Sequence, residues 1–336
     1  MNNIYGFTRE ALKGYFKDIG ENPAKADIIF KWLYHGVTPT FRPALLDRVK
    51  ADFSFEIPQI IAKNEDASAV KYLFRLEDEN TVEAVIMKHD YGLGLCLSTQ
   101  VGCNMGCAFC ESGRFKKKRN LKAYEIVGQF IAAQRDLNCQ IAHAVLMGIG
   151  EPLDNFSNSA DFINIAVDPY GLNLGPRHVT LSTCGLIPGI KRFGELNIPS
   201  CLAISLHASN DEVRNKIMPV NKAYPIKDLV NAVKEYSVTH NKRVTFEYML
   251  LKDINCSLSH ADELIYLLKD IDCYVNLIPY NETSNTQFKR CNKDEISAFY
   301  NRLREGGIWV TVRREFGTSI KAACGQLRNE YIEGQS

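Results

Sequence analysis

Three cysteines lie close together in this chain, and their spacing predicts a metal centre. Cys103, Cys107 and Cys110 follow the pattern Cys-x3-Cys-x2-Cys. Structural zinc usually takes four ligands from two separated Cys-x2-Cys pairs, and no second pair follows this one. Thiolates this close on one loop are typical of an iron–sulfur cluster. Because three thiolates on a [4Fe–4S] cube leave one iron open, we expect a substrate or cofactor to bind at that iron.

Other polar residues that could do chemistry stand at the ends of predicted strands. In Met147-Gly-Ile-Gly150-Glu151-Pro152 the glycines permit close backbone approach, and the glutamate offers an acceptor for an ammonium group. Ser182, Ser205, Leu206, His207 and Asn281 lie at further strand ends. Taken singly, each polar member of this set is better explained as a capping hydroxyl or a hydrogen-bonded core residue than as a ligand contact.

A basic loop follows the cysteines. Six of its nine residues are basic, and one aromatic ring stands among them: Arg114, Phe115, Lys116, Lys117, Lys118, Arg119 and Lys122. Such a run neutralises phosphates, and the ring could stack on a base. The alternative is a solvated charge run before a helix. Because cations are unfavourable at the positive end of a helix dipole, the run favours RNA contact.

The elements that must position these residues alternate between strands and helices. Predicted strands cover 82–87, 93–97, 143–147, 178–182, 202–206, 244–249, 274–278 and 308–312, and predicted helices cover 123–137, 156–167, 226–239, 260–268 and 293–305. This alternation predicts parallel strands with right-handed crossovers, hence an α/β sheet or barrel. Ligands of such folds bind at the carboxyl ends of the strands, where the cysteines lie.

The N-terminal part has a different pattern. Asn22-Pro23 predicts a helix start, and a second helix is expected over 43–53. We expect a small helical domain over 1–75, with a polar connection near 63–66, then a main domain over 76–330 and a tail over 331–336.

The bulk composition narrows the class of protein. The 336 residues carry 40 basic and 39 acidic side chains, so any nucleic-acid site must be local. Eleven cysteines, an odd number in a long chain, argue against a disulfide-stapled secreted scaffold. The sequence has no run of about 18 apolar residues and no signal-peptide core. We therefore expect a soluble, cytoplasmic protein that has no membrane partner.

The cysteine pattern, with Phe109 before its last member, resembles the radical S-adenosylmethionine (SAM) signature. That resemblance implies a partial (βα)6 TIM-like barrel in which the open iron holds SAM and Glu151 cradles its amine. Further stretches are similar to the RlmN/Cfr family of radical SAM 23S rRNA adenine methyltransferases: Lys31-Trp-Leu-Tyr34, Val82-Glu83-Ala-Val, Leu95-Cys96-Leu-Ser and Ala322-Ala-Cys324-Gly-Gln-Leu327.

The family resemblance implies a role for each matched residue. Cys324 would carry a methyl group as S-methylcysteine, Glu83 would accept the ring proton, and Cys96 would form a transient disulfide with Cys324. The SAM contacts would be Gly150, Glu151, Ser182, Ser205, Leu206, His207 and Asn281. One [4Fe–4S] cluster and two SAM molecules per turnover are implied. The implied partners are 23S rRNA before full ribosome assembly, tRNA as a further substrate, and flavodoxin or ferredoxin as electron donor.

Alternatives remain within and beyond this family. The C8-methylating branch modifies the same adenine, although Val101, Pro152 and 87–92 resemble the C2 branch. The chain departs from the family at Glu111, at Lys116-Lys117 and over 318–321. Two rival functions come from other classes of protein. One is an iron–sulfur RNA-binding protein without catalysis, and the other is a radical SAM enzyme that acts on a small molecule or peptide.

Overall fold

The N-terminal segment forms three short helices. The computed structural model describes residues 1–282, 286–314, 316, 317 and 320; Cys324 and the expected tail lie outside them. Strand β1 (Asn2–Asn3) pairs in parallel with β2 (Phe53–Ser54), and between them run α1 (Arg9–Asp18), α2 (Lys25–His35) and α3 (Pro43–Asp52). Thr8 caps α1 by accepting a hydrogen bond from the Ala11 amide, and α2 ends at Gly36 in the left-handed region. The expected small helical region is therefore present.

The expectation of helix up to residue 75 is wrong beyond α3. Strands β3 (Gln59–Glu65) and β4 (Ala69–Arg75) occupy that stretch and run antiparallel to each other, and β4 also pairs with β5 (Thr81–His89). The polar stretch at 63–66 lies mostly within β3 rather than in a connection. Nearly all of β4 is buried, so its sequence lacks the alternation that marks a half-exposed strand. The domain boundary near residue 75 stays a prediction.

The rest of the described chain alternates strand and helix. In order come β6 (Gly92–Cys96), β7 (Gln100–Val101), β8 (Arg119–Asn120), α4 (Ala123–Leu137), β9 (Ile141–Leu146), α5 (Phe156–Val167), β10 (Val179–Thr183), α6 (Ile187–Glu195), β11 (Cys201–Ser205), α7 (Asp211–Ile217), α8 (Ile226–His240), β12 (Val244–Leu250), α9 (Leu258–Leu268), β13 (Cys273–Pro279), α10 (Lys293–Glu305) and β14 (Trp309–Val312). The strands predicted from the sequence are confirmed to within two residues, whereas α6 and α7 were not predicted.

One sheet joins ten of these strands in the order β3-β4-β5-β6-β9-β10-β11-β12-β13-β14. From β6 to β14 all neighbours are parallel, and helices connect each successive pair. The predicted α/β fold with its six strand–helix units is confirmed. Among the described residues β3 and β14 do not pair, so the sheet is open at both edges.

The chain beyond β14 returns across the sheet to the antiparallel strands. We call residues 313, 314, 316, 317 and 320 the C-terminal strap. Arg313 donates to the Met87 sulfur at 3.5 Å, and the Gly317 amide donates to the Ser68 hydroxyl at 3.0 Å. Because β5 lies seven places from β14 in the strand order, these contacts require a strongly curved sheet, as in a partial barrel.

No described helix has the length and apolar composition that crossing a bilayer requires.

Candidate active site

The predicted site residues come together at the carboxyl ends of the parallel strands. A single pocket is lined by all three cysteines of the pattern and by most of the expected strand-end residues: Cys103, Cys107, Cys110, Gly150, Glu151, Ser182, Ser205 and His207. Leu206 and Asn281 are not in its lining. Local sequence spacing had predicted the cysteine loop, and the strand–helix alternation had predicted which loops it would meet.

Several lining residues were missed by sequence reasoning, and three of them stand out: a carboxylate, a thioether and a guanidinium. Glu247 and Met249 on β12 face the pocket, and Arg313 reaches it from the C-terminal strap. Glu247 is buried and accepts a hydrogen bond from the Asn276 amide at 2.9 Å. A carboxylate within the apolar and aromatic run Val-Thr-Phe-Glu-Tyr-Met-Leu was the signal that could have identified it.

The cysteine loop is held by backbone contacts on two sides. β7 and β8 pair antiparallel at its base, and the Cys103 amide donates to the Phe115 carbonyl at 2.9 Å. At its far side the Ala108 amide donates to the Ile217 carbonyl, at the end of α7, also at 2.9 Å. The loop therefore spans from the β7–β8 pair to α7, which fixes its backbone before any cofactor binds.

The partly buried thiols of this loop suit a metal cluster. Burial raises the pKa of the Cys103 thiol to about 11, and burial also holds the pKa of Cys107 well above its ordinary value. Such thiols stay protonated at neutral pH unless a metal replaces the proton. In the part of the chain that the structure describes, no group of three Asp, Glu, His or Cys side chains lies close enough to hold a single metal ion. A cube bound through three separate irons does not need that convergence, so the loop fits a [4Fe–4S] cluster.

Glu151 is a buried carboxylate at the end of β9. Its side chain accepts hydrogen bonds from the Leu153 amide at 3.0 Å and the Cys184 amide at 2.8 Å. Burial nevertheless raises the pKa of this carboxyl. A cationic ligand would favour the charged form, so the site is suited to an ammonium group such as the amine of SAM. Asn281, just beyond β13, has a buried side-chain oxygen that no described residue satisfies, as expected of an acceptor for a ligand.

Gly150 gives the Glu151 loop its shape. Its φ of +111° lies in the region that favours glycine, and a Cβ there would come within 2.6 Å of the Gln100 side chain. We expect Gly150→Ala to reduce the free energy of unfolding, measured by chemical denaturation, by about 1–3 kcal/mol. The control is Gly14→Ala on the exposed face of α1, where no atom lies within 4 Å of the new Cβ. That change should raise the free energy of unfolding by about 0.5–1 kcal/mol. A Gly150→Ala variant as stable as the wild type would contradict the prediction.

His207 is a neutral hydrogen-bond donor to the pocket. Its Nδ1 accepts a hydrogen bond from the Met249 amide at 2.9 Å, which leaves the proton on Nε2. Burial lowers the pKa of the ring to about 3, with a smaller contribution from Arg214. Phe109 of the cysteine loop packs edge-on against the ring, with centroids 4.9 Å apart. The aromatic residue before the third cysteine thus orients a strand-end residue of the same pocket.

The residues expected to handle the methyl group share one face of the sheet. Glu83 on β5 and Cys96 on β6 point to the face that we call the inner face, where Val85 pairs directly with Cys96. An apolar cluster on this face contains Val85, Met87, Cys96, Ile149 and Phe316, and Ile320 packs against it. Cys324, the third expected member, lies outside the described residues. The C-terminal strap therefore covers the inner face beside Cys96.

The basic loop is less available than its sequence suggests. The Arg119 guanidinium lies between Asp78 at 2.6 Å and Glu125 at 2.7 Å, and Lys117 pairs with Asp154 at 2.6 Å. The four other cations of the predicted set are exposed: Arg114, Lys116, Lys118 and Lys122. Phe115 is half-buried. Arg114 also pairs with Glu111 at 3.3 Å, so the loop presents its exposed charge mainly through Lys116, Lys118 and Lys122.

Two family models match the chain. Residues 97–260 match the radical SAM superfamily, and residues 2–43 match the ribosomal RNA large subunit methyltransferase N-terminal domain. The first match covers the cysteine loop and the strand ends that follow it as far as β12.

Several relatives match along nearly the whole length of the chain. The chain is 43% identical, over 98% of its own length and 97% of the relative's, to a probable dual-specificity RNA methyltransferase RlmN of Enterococcus faecalis. It is also 43% identical to the corresponding protein of Clostridium perfringens strain SM101, over 100% and 99% of the two chains. A crystal structure of a radical SAM methyltransferase from Sphaerobacter thermophilus superimposes with a TM-score of 0.91 at 35% identity, over 98% of this chain and 100% of that one.

Proposed function

The chain belongs to the RlmN family of radical SAM RNA methyltransferases, and from this premise we propose that it methylates C2 of an adenine in 23S rRNA and also acts on tRNA. Membership of the radical SAM superfamily implies a [4Fe–4S] cluster and SAM. We infer further that each turnover uses two SAM molecules, that flavodoxin or ferredoxin supplies electrons, and that the enzyme meets its rRNA in the cytoplasm before ribosome assembly is complete.

Adenine C2 is a poor nucleophile, so a methyl group cannot pass directly from SAM to the ring. The cluster and SAM, when bound, supply the radical chemistry that activates the methyl carbon. The protein's own part is to carry the methyl group, to remove the ring proton and to release the methylated base. Cys324 would hold the methyl group on its sulfur, and Glu83 would take the ring proton as general base. Cys96 would then attack the Cys324 sulfur. An S–S bond forms, the bond between that sulfur and the carbon breaks, and the carbon keeps the electron pair and takes up a proton to complete the methyl group.

The arrangement of the inner face carries this proposal. Glu83 and Cys96 lie on that face, and Ile320 of the C-terminal strap packs against the cluster that contains Cys96. Cys324 follows Ile320 by four residues, a length of chain that spans at most about 14 Å. The strap therefore brings the described chain to the face that holds Glu83 and Cys96, four residues before the expected methyl carrier.

The function is tested by nucleoside analysis. Anaerobically reconstituted protein is incubated with SAM, a low-potential reductant and protein-free 23S rRNA, and the digested RNA is examined by mass spectrometry. We expect 2-methyladenosine. Formation of 8-methyladenosine in its place would assign the chain to the C8 branch. Unmodified RNA, together with an intact cluster that cleaves SAM, would favour a small-molecule or peptide substrate.

The basic loop makes a separate prediction about RNA affinity. The double substitution Lys116→Ala with Lys118→Ala removes two exposed cations, so the slope of log affinity against log salt should become shallower by about 1.4–1.8. The control is Lys227→Ala with Lys234→Ala, which removes two exposed cations from the outer helix α8. Filter binding with a 23S rRNA fragment measures both. Equal slopes for the wild type and the Lys116/Lys118 variant would exclude this surface from the RNA site.

A further inference from the structure

A buried lysine pairs with the expected general base. The Lys71 ammonium lies 3.2 Å from the Glu83 carboxylate, and the two side chains are only 7% and 5% exposed. Burying two charges is costly, and the mutual attraction repays this cost only when the geometry is favourable. Lys71 also stands in the otherwise apolar run Ala-Val-Lys-Tyr-Leu-Phe of β4. Because such a buried ion pair adds little to the free energy of unfolding, its presence points to a functional role for the lysine's charge.

The strand register explains how the two side chains meet. Lys71 is paired with Val85 and Leu73 with Glu83 across the antiparallel β4–β5 ladder. Lys71 and Glu83 are therefore diagonal neighbours on the inner face, within reach of a long side chain. The backbone at Glu83 is fixed as well, because the Ser98 hydroxyl donates to its carbonyl at 2.6 Å. Both partners thus sit on paired strands in the interior of the sheet.

Few other titratable groups face Glu83. On the inner face, β6 contributes the Cys96 thiol, and the C-terminal strap contributes Arg313, whose guanidinium contacts Met87. Arg75, which pairs with Thr81, is the other diagonal neighbour of Glu83, but its guanidinium contacts Gln59 at 2.6 Å and Glu79 at 3.7 Å. His89 stands on the same face at the far end of β5. Among the residues that the structure describes, Lys71 is the cation for which an ion pair with Glu83 is found.

We propose that Lys71 is a positioning residue for the methyl transfer: its ammonium holds the Glu83 carboxylate ionised and oriented on the inner face, ready to accept the proton from the nucleobase. This inference rests on the proposed role of Glu83. The balance of the step is simple. The ring C–H bond breaks, its proton moves to the carboxylate, the electron pair stays in the ring, and the lysine keeps its charge throughout.

The test compares Lys71→Met, Lys71→Gln and Lys71→Arg in single-turnover reactions with 23S rRNA over a range of pH. Loss of the cation should slow release of methylated RNA by about 10–100-fold, a fraction of what a general base contributes. The acid limb of the rate profile should move up by about one pH unit or more, because a buried carboxylate without its cation holds its proton more tightly. Lys71→Arg keeps the charge and should stay within about threefold of the wild type.

Two controls separate this role from a structural one. Lys88→Met removes an ammonium from the exposed end of β5, where it pairs with Glu65 at 2.8 Å, and should leave the pH profile unchanged. Mass spectrometry should find Cys324 methylated to the wild-type extent in every Lys71 variant, since that step precedes the proton transfer. If Lys71→Met does not fold, Lys71→Gln still removes the charge while keeping a hydrogen-bond donor.

The outcomes distinguish this inference from the proposed function. A slow Lys71→Met or Lys71→Gln variant with the wild-type pH profile would overturn the inference, as would one that releases product at the wild-type rate. If Glu83→Gln itself released methylated RNA at the wild-type rate, the role of Glu83 would be wrong and the proposed chemistry would fail with it.

Discussion

Replacing Cys107 with serine is expected to abolish methylation, with a fall in rate of at least about 10³-fold. The fall is large because the loss of one member of a catalytic unit removes nearly all of the unit's activity. Cys107 lies in the pocket with Cys103 and Cys110, and its side chain is partly buried. A serine hydroxyl stays protonated there and is a poor ligand for iron. The reconstituted variant should contain less iron and lack the visible absorbance of the cluster.

The matched control is Cys139→Ser. Cys139 is exposed and lies in the connection between α4 and β9, away from the pocket-lining residues. This variant should keep the iron content and the methylation rate of the wild type. Retention of both cluster and activity in Cys107→Ser would show that the three cysteines do not act together as cluster ligands.

Replacing Cys96 with alanine should trap the enzyme on its RNA. With the proposed resolving thiol removed, the bond between the Cys324 sulfur and the nucleobase methyl carbon has no nucleophile to break it. Released methylated RNA should fall at least about a hundredfold, as for loss of a residue needed in one chemical step. A covalent protein–RNA adduct should appear on denaturing gels. Nuclease digestion and mass spectrometry would locate it on Cys324.

The control for Cys96→Ala is Cys273→Ala, which removes a similarly buried thiol from strand β13. It should release methylated RNA normally and form no adduct. If Cys96→Ala also released methylated RNA at the wild-type rate without an adduct, another nucleophile must open the intermediate. The proposed disulfide step would then be wrong.

The parts of the fold and site that sequence predicted correctly depend on local spacing. The cysteine pattern lies on one loop, and the strand–helix period places the loops after β9, β10 and β11 beside it. The residues that were missed depend on contacts between distant segments. A lone lysine in the apolar run of β4 is unusual, but the sequence does not name its partner: the pairing of Lys71 with Glu83 appears only when β4 and β5 form a ladder.

The basic loop shows the same limit. Arg119 was predicted as an RNA contact from its position in a run of cations, but Asp78 and Glu125 occupy its guanidinium. Asp78 is 41 residues away in sequence, in the turn between β4 and β5. Charge density along the chain therefore overestimates the charge that the folded surface presents.

The position of the C-terminal strap at the end of the chain has a consequence for biosynthesis. Translation makes the cysteine loop and the strands from β3 to β13 before the strap, whose first residue directly follows β14. Until then nothing in the strap can cover the inner face, and the apolar cluster around Cys96 lacks Phe316 and Ile320. The nascent protein thus passes through a stage in which the three cysteines of the loop have been made and the strap over the inner face has not. We expect the inner face to be open to solvent during this interval, before Phe316 and Ile320 pack against the apolar cluster.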